Sequence, residues 1–113
     1  MTESCLFCRI VRREIPAKVI HEDEHTLAFR DIDPRAPTHV LVIPKTHVAS
    51  LNEIDDPAFV GRLMLAAKHI AEAEGIAESG YRTVVNTGAN GGQSVSHIHV
   101  HLLGGRRLTW PPG

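Results

Sequence analysis

His97, His99 and His101 alternate with Ile98, Val100 and Leu102. In an extended chain alternate side chains share a face, so the pattern predicts a strand with three imidazoles in front. Neighbouring imidazoles would lie about 6 to 7 Å apart. The aliphatic row behind suits packing on a core. A lone strand histidine is ordinarily a half-exposed side chain; three in strict alternation point to chemistry. Two kinds are open: His-x-His can present two imidazoles to zinc, or one imidazole can attack phosphorus. Gly88 to Ser94, just upstream, can bring bare backbone N–H groups and a hydroxyl close to an anion, which favours phosphate.

Cys5 and Cys8 are the only cysteines. Their C-x-x-C spacing allows a redox pair, half of a zinc site or two small buried hydrophobes. Redox is the weakest reading, because the pair precedes a short amphipathic segment, Leu6, Phe7, Ile10 and Val11, instead of following a strand. Ile15-Pro16 should end that helix.

The elements that must position these groups follow in order. Lys18 to Glu22 and Thr26 to Arg30 read as a hairpin over the acidic turn at residues 22–25. Asp31 to Pro37 is a proline-bounded loop, and His39 opens a β-branched strand running to Pro44. Asp55-Asp56-Pro57 starts a long helix ending near Glu74 before Gly75, with a core stripe through Phe59, Leu63, Ala67 and Ile70. Tyr81 to Thr87 is a fourth strand and the histidine strand a fifth. The expectation is the α+β class: a meandering five-stranded antiparallel sheet with one long helix and a short N-terminal one, residues 1–113 forming one domain.

The 113 residues carry 12 Lys and Arg against 13 Asp and Glu, 42% hydrophobic and 22% charged. No basic run exceeds two residues, so neither nucleic acid nor a membrane surface is an expected partner. No signal-peptide pattern or membrane-length apolar run is present, which reads as cytoplasmic. His21, His25 and His69 read as surface residues.

His97 to Leu103 matches at every position the His-φ-His-φ-His-φ-φ pattern (φ hydrophobic) of the histidine triad (HIT) superfamily. Glu14 to Lys18, Leu27 to Ile32, Ala36 to Lys45 and the ending Trp110-Pro111-Pro112-Gly113 resemble its Hint branch, the histidine triad nucleotide-binding proteins. Gly92-Gln93-Ser94 favours Hint over the Fhit-like branch, whose members tend to carry threonine at the Ser94 position.

The resemblance implies a homodimer that binds purine nucleoside monophosphates and hydrolyses nucleoside 5′-phosphoramidates through a nucleotidyl-histidine, with no cofactor needed for catalysis. It makes His99 the nucleophile and His101 a phosphate and proton-transfer group. His97 and His39 would orient and polarise the array, and Ser94 would bond near the leaving nitrogen. Asp31 would accept the ribose hydroxyls; without the resemblance it reads as a turn aspartate. Leu6, Phe7, Ile10, Phe29 and Ile32 would wall the purine slot, and on composition alone they are core. Asn86, Gly92 and Gln93 would contact phosphate or ribose. Trp110 would reach the leaving amine across the dimer. Some triad proteins hold structural zinc on residues equivalent to Cys5, Cys8, His47 and His97, and others lack the cysteines, so zinc stays open. The alternatives are a metallohydrolase with the histidines on a catalytic metal, a nucleotide-binding regulator with incidental turnover, and a dinucleoside polyphosphate hydrolase.

Overall fold

The computed structural model describes residues 2–113. Its centre is an antiparallel sheet in the order β1-β2-β3-β5-β4, built from Val19–Glu22, Thr26–Arg30, Thr38–Pro44, Val100–Gly104 and Tyr81–Val84 for β1, β2, β3, β5 and β4. The sheet is therefore not a simple meander. β5 returns to lie between β3 and β4, with Leu41 opposite His101 on one side and Val84 opposite it on the other. Both edge strands, β1 and β4, are only four residues long.

Both faces of the sheet are covered, by two different helices. α2, Pro57–Ala73, is capped by Asp56, whose carboxylate accepts from the Ala58 N–H at 3.0 Å, and Gly75 follows in the left-handed region with φ 77°, the backbone that glycine adopts without strain. Its Leu63, Ala66, Ala67, Ile70 and Ala71 pack on Ala28, Val40, Val42, Ile98, Val100 and Leu102. The small α1, Leu6–Val11, puts Phe7 and Ile10 on the opposite face against Leu27, Phe29, Leu41 and Ile43. A central strand covered on both sides has no polar face to show, and β3 is buried along its whole length. α1 stops at Val11, earlier than Ile15-Pro16, because Arg13 turns left-handed at φ 64°.

β5 begins at Val100, so His97 and His99 precede the ladder. Their stretch is held by the Ile98 N–H donating to the Val48 carbonyl at 2.8 Å. β4 ends at Val84, short of Thr87, where the glycine-rich loop takes over. No helix among the described residues is long and apolar enough to cross a membrane.

Candidate active site and metal centre

Alternation holds through the histidine segment. Ile98, Val100 and Leu102 are in the core under α2, and the three imidazoles point the other way. That face is not an open front: His97 is 0% and His99 4% exposed, and the Phe7 ring meets both edge-on, at 5.8 and 5.2 Å between centroids. The three rings then divide between two clusters.

His97 turns towards the cysteines. Its Nδ1 lies 3.4 Å from Cys5 Sγ, 3.6 Å from Cys8 Sγ and 3.2 Å from His47 Nδ1, and Cys8 Sγ is 3.2 Å from His47 Nδ1. α1 brings the two sulfurs together, since Cys5 is its N-cap and accepts from the Cys8 N–H. On the far side of the ring, His97 Nε2–H donates to the Pro44 carbonyl at 2.9 Å. A carbonyl can only accept, so Nδ1 is left with its lone pair facing the cluster. Tetrahedral zinc with ordinary bond lengths would hold its nitrogens roughly 3.4 Å apart and each sulfur roughly 3.6 Å from a nitrogen. The observed separations fit that edge length, and all four donor atoms lie within 4.8 Å of one another. Burial, reinforced by the neighbouring Cys5 thiol, pushes the Cys8 thiol up to about 11. A cation seated here would reverse that preference.

His99 turns the other way. Its Nδ1–H donates to the backbone carbonyl of His97 at 2.9 Å, which fixes the proton on Nδ1 and leaves Nε2 with a free lone pair. The His101 ring stands beside it, 5.0 Å between centroids. A relay of defined direction runs behind His101. The Arg35 backbone N–H donates to His39 Nδ1 at 3.0 Å, so His39 carries its proton on Nε2, 3.0 Å from His101 Nδ1. His101 accepts there and presents Nε2–H. Burial lowers the basicity of both rings. In His101 the neighbouring His99 and His39 add to it, bringing the group to about 4.

This wiring bears on the metallohydrolase alternative. Asp31, His39 and His101 have ligand atoms close enough to hold an ion. A metal on His39 Nε2 would force the proton onto Nδ1, against the Arg35 N–H that already points there. The hydrogen bonding of His39, and not the donor types, stands against a catalytic metal here.

The remaining expected residues fall around this centre. Asp31 Oδ2 lies 3.4 Å from His39 Nε2, while its Oδ1 accepts from the Asp33 N–H at 2.8 Å, as a turn aspartate does. Arg30, next to it, is clamped to Glu74 at 2.8 and 3.0 Å, tying the end of β2 to α2. Asp31, Ile32 and His39 line a cavity of about 600 Å³ with Pro16, Ala17 and Lys18. Ile32 is fully exposed, Leu6 about half exposed, and Phe7, Ile10 and Phe29 are buried. Asn86 shares a second cavity, about 310 Å³, with His39 and His101.

Gln93 and Gly92 are committed within their own loop. The Gln93 Oε1 accepts from the Gly88 N–H, its Nε2 donates to the carbonyls of Ala49 and Val95, and the backbone N–H groups of Gly92 and Gln93 donate to Ala89 and Gly88. Gln93 thus braces the loop, and at Gly91 a Cβ would collide with the Thr87 backbone. Ser94 is exposed and makes no hydrogen bond among the described residues. Trp110 is 79% exposed and lies under the Arg82 guanidinium, 5.8 Å to the ring centroid, while Pro112 lines the cavity holding its own chain's His101. Arg35 and Ile15 were not singled out from the sequence. Arg35 works through its backbone, which no side-chain pattern reveals, and Ile15, packed against the Phe7 and Phe29 cluster, was legible only as the residue before a proline.

The family model described as the HIT domain matches residues 12–108. The purine nucleoside phosphoramidase of Escherichia coli (strain K12) is 49% identical over 110 residues, 96% of this chain and 92% of that protein. A HIT family hydrolase from Legionella pneumophila Philadelphia 1 superposes with a TM-score of 0.95 at 54% identity, covering 97% of this chain and all of that one. A zinc-bound histidine triad family protein from Mycobacterium smegmatis has a TM-score of 0.85 at 35% identity, over 100% of this chain and 82% of that one. With its imidazoles wired as described and these likenesses spanning nearly its whole length, the chain belongs to the HIT family, on its Hint-like branch, and is a hydrolase.

Proposed function

We propose that this hydrolase cleaves the P–N bond of purine nucleoside 5′-phosphoramidates, of the adenosine monophosphoramidate type, by way of a nucleotidyl-histidine at His99. The observation that carries the reading is the His99 Nδ1–H bond to the His97 carbonyl, which leaves Nε2 as the nucleophile. In the first step the Nε2 lone pair forms the bond to phosphorus and the P–N bond breaks. The departing nitrogen needs a proton. The array of His39 and His101 takes up one proton when the nucleotide anion binds, since that charge opposes the burial that keeps its imidazoles neutral. It delivers that proton through His101 Nε2. In the second step water attacks phosphorus, the P–Nε2 bond breaks, and a water proton restores the array.

The binding groups follow from the same reading. Asp31 retains a lone pair on each oxygen for the ribose hydroxyls, and Phe7, Ile10, Phe29, Ile32 and Leu6 offer apolar surface to the purine. Ser94 supplies a hydroxyl near the leaving nitrogen, with Asn86 at the phosphate, while Gly92 and Gln93 brace the loop that carries Ser94. His97 positions His99 through its carbonyl. The name of the Escherichia coli relative supports this substrate class. Zinc on Cys5, Cys8, His47 and His97 is structural in this account; when bound it would cross-link α1 to the histidine segment. The tetrahedral fit and the zinc-bound relative support it. A homodimer would cover the free edge of β4 and the exposed Met64, Leu65 and Tyr81.

The test is incubation with adenosine 5′-phosphoramidate and with diadenosine polyphosphates. AMP and ammonia should form from the first at a kcat/KM far above that for the others. A reversed ranking would give the function to polyphosphate hydrolysis, and AMP binding without turnover of either would leave a regulator.

A further inference from the structure

Arg82 faces Leu103 across the β4–β5 ladder, two pairs along from Val84 and His101. It therefore stands on the His101 side of the sheet. Arg106, just past β5, joins it in the cavity of about 310 Å³ that His39, His101 and Asn86 line. A neighbouring cavity of about 290 Å³ shares both arginines and adds Arg107. Neither lining contains a carboxylate, in a chain whose acids outnumber its bases, 13 to 12.

The two guanidinium groups are held without being neutralised. Arg82 donates to the Thr109 carbonyl at 3.0 Å and lies over the Trp110 ring; Arg106 donates to the carbonyls of Arg35 and Arg107. Neither forms an ion pair among the described residues, whereas Arg35 on the same rim is paired with Asp33. Cationic groups lining a cleft with no anion beside them favour an anionic ligand.

We infer that this end of the cavity is a subsite for the leaving group, and that it selects amines carrying a carboxylate. Arg82 and Arg106 are its specificity-determining residues. The inference rests on the phosphoramidase reading, which sets phosphorus between His99 and His101. A substituent on the departing nitrogen then extends along the cavity towards the guanidinium groups, with Trp110 as an apolar wall behind Arg82.

The test compares two adenosine 5′-phosphoramidates of similar length, one made with propylamine and one with β-alanine. The β-alanine compound should have the higher kcat/KM by about threefold to tenfold, the size that two partly exposed charge contacts supply. That ratio should shrink as salt is raised from about 0.05 M to about 0.5 M. It should fall towards one in Arg82→Gln and in Arg106→Gln, and persist in part in Arg82→Lys, which keeps the charge. A ratio of one or below in the unmodified protein, or a preference indifferent to salt and to both Gln substitutions, overturns the subsite. Propylamide cleavage with no carboxylate preference removes this inference alone, whereas failure to cleave either compound removes the phosphoramidase reading with it.

Discussion

The two histidine clusters are built from the same short segment yet differ in every respect that decides reactivity. Around His97 each donor has a thiol or imidazole partner, the far ring nitrogen is tied to Pro44, and no part of the residue reaches solvent. Around His99 and His101 the rings are wired from behind, by the His97 carbonyl and by the Arg35–His39 relay, and His101 lines a cavity. On the proposed reading, a pleated segment gives one imidazole to architecture and two to chemistry. What separates them is which nitrogen each hydrogen bond leaves free.

The largest expected effect breaks that division on the reactive side. His99→Asn should lower turnover by at least about a thousandfold, since the amide has no ring nitrogen to attack phosphorus. Metal content and unfolding midpoint should stay near those of the unmodified chain. Near-normal turnover by the folded variant would remove His99 from the chemistry.

On the architectural side the losses are reversed. Cys5→Ser with Cys8→Ser should abolish bound zinc, expected at about one per chain. Stability should drop by about 4 kcal/mol where free zinc stands a thousandfold above its dissociation constant. Metal analysis and denaturant midpoints check both. Brief chelation that strips zinc while leaving the chain folded should spare most turnover, unlike in an enzyme with a catalytic metal.

A subtler contrast lies in pH. Burial holds His101 at about 4 in the folded chain, against an ordinary value near 6.5 when unfolded. Between those values the unfolded chain binds more protons, so stability is full above about 6.5 and is lost as pH falls towards 4. His39 and His97 are also lowered by burial and act in the same direction. His101→Gln should flatten part of that slope in thermal unfolding followed from pH 7 to 4. A slope of equal size in the variant would contradict the assignment.

The smallest effect concerns assembly and the tail. Sedimentation at micromolar concentration should give a dimer. Deleting residues 109–113 should change the ranking of phosphoramidates with small and aromatic amines more than it changes AMP binding. An unchanged ranking would free Trp110 of any role at the leaving group.

Much of this was legible in the chain itself. The period-two histidines, the aliphatic row behind them and the Asp56-Pro57 start and Gly75 stop of α2 are local signals, and local signals survive into the fold. β5 between β3 and β4 was not, because strand order is settled by pairings between residues far apart in sequence. The parting of His97 from His99 depends on thiols at the other end of the chain. Gln93 reads as a phosphate contact until its amide is seen bridging Ala49 and Val95. Arg82 and Arg106 sit in unrelated stretches that only the ladder brings to one cavity.

A covalent nucleotide on one ring nitrogen is tested most directly by rapid quenching during turnover of adenosine 5′-phosphoramidate, followed by peptide mass analysis. A transient AMP adduct should appear on the peptide carrying His99 and be absent in His99→Asn, with overall retention of configuration at phosphorus from two displacements. Inversion at phosphorus with no adduct during active turnover would contradict it.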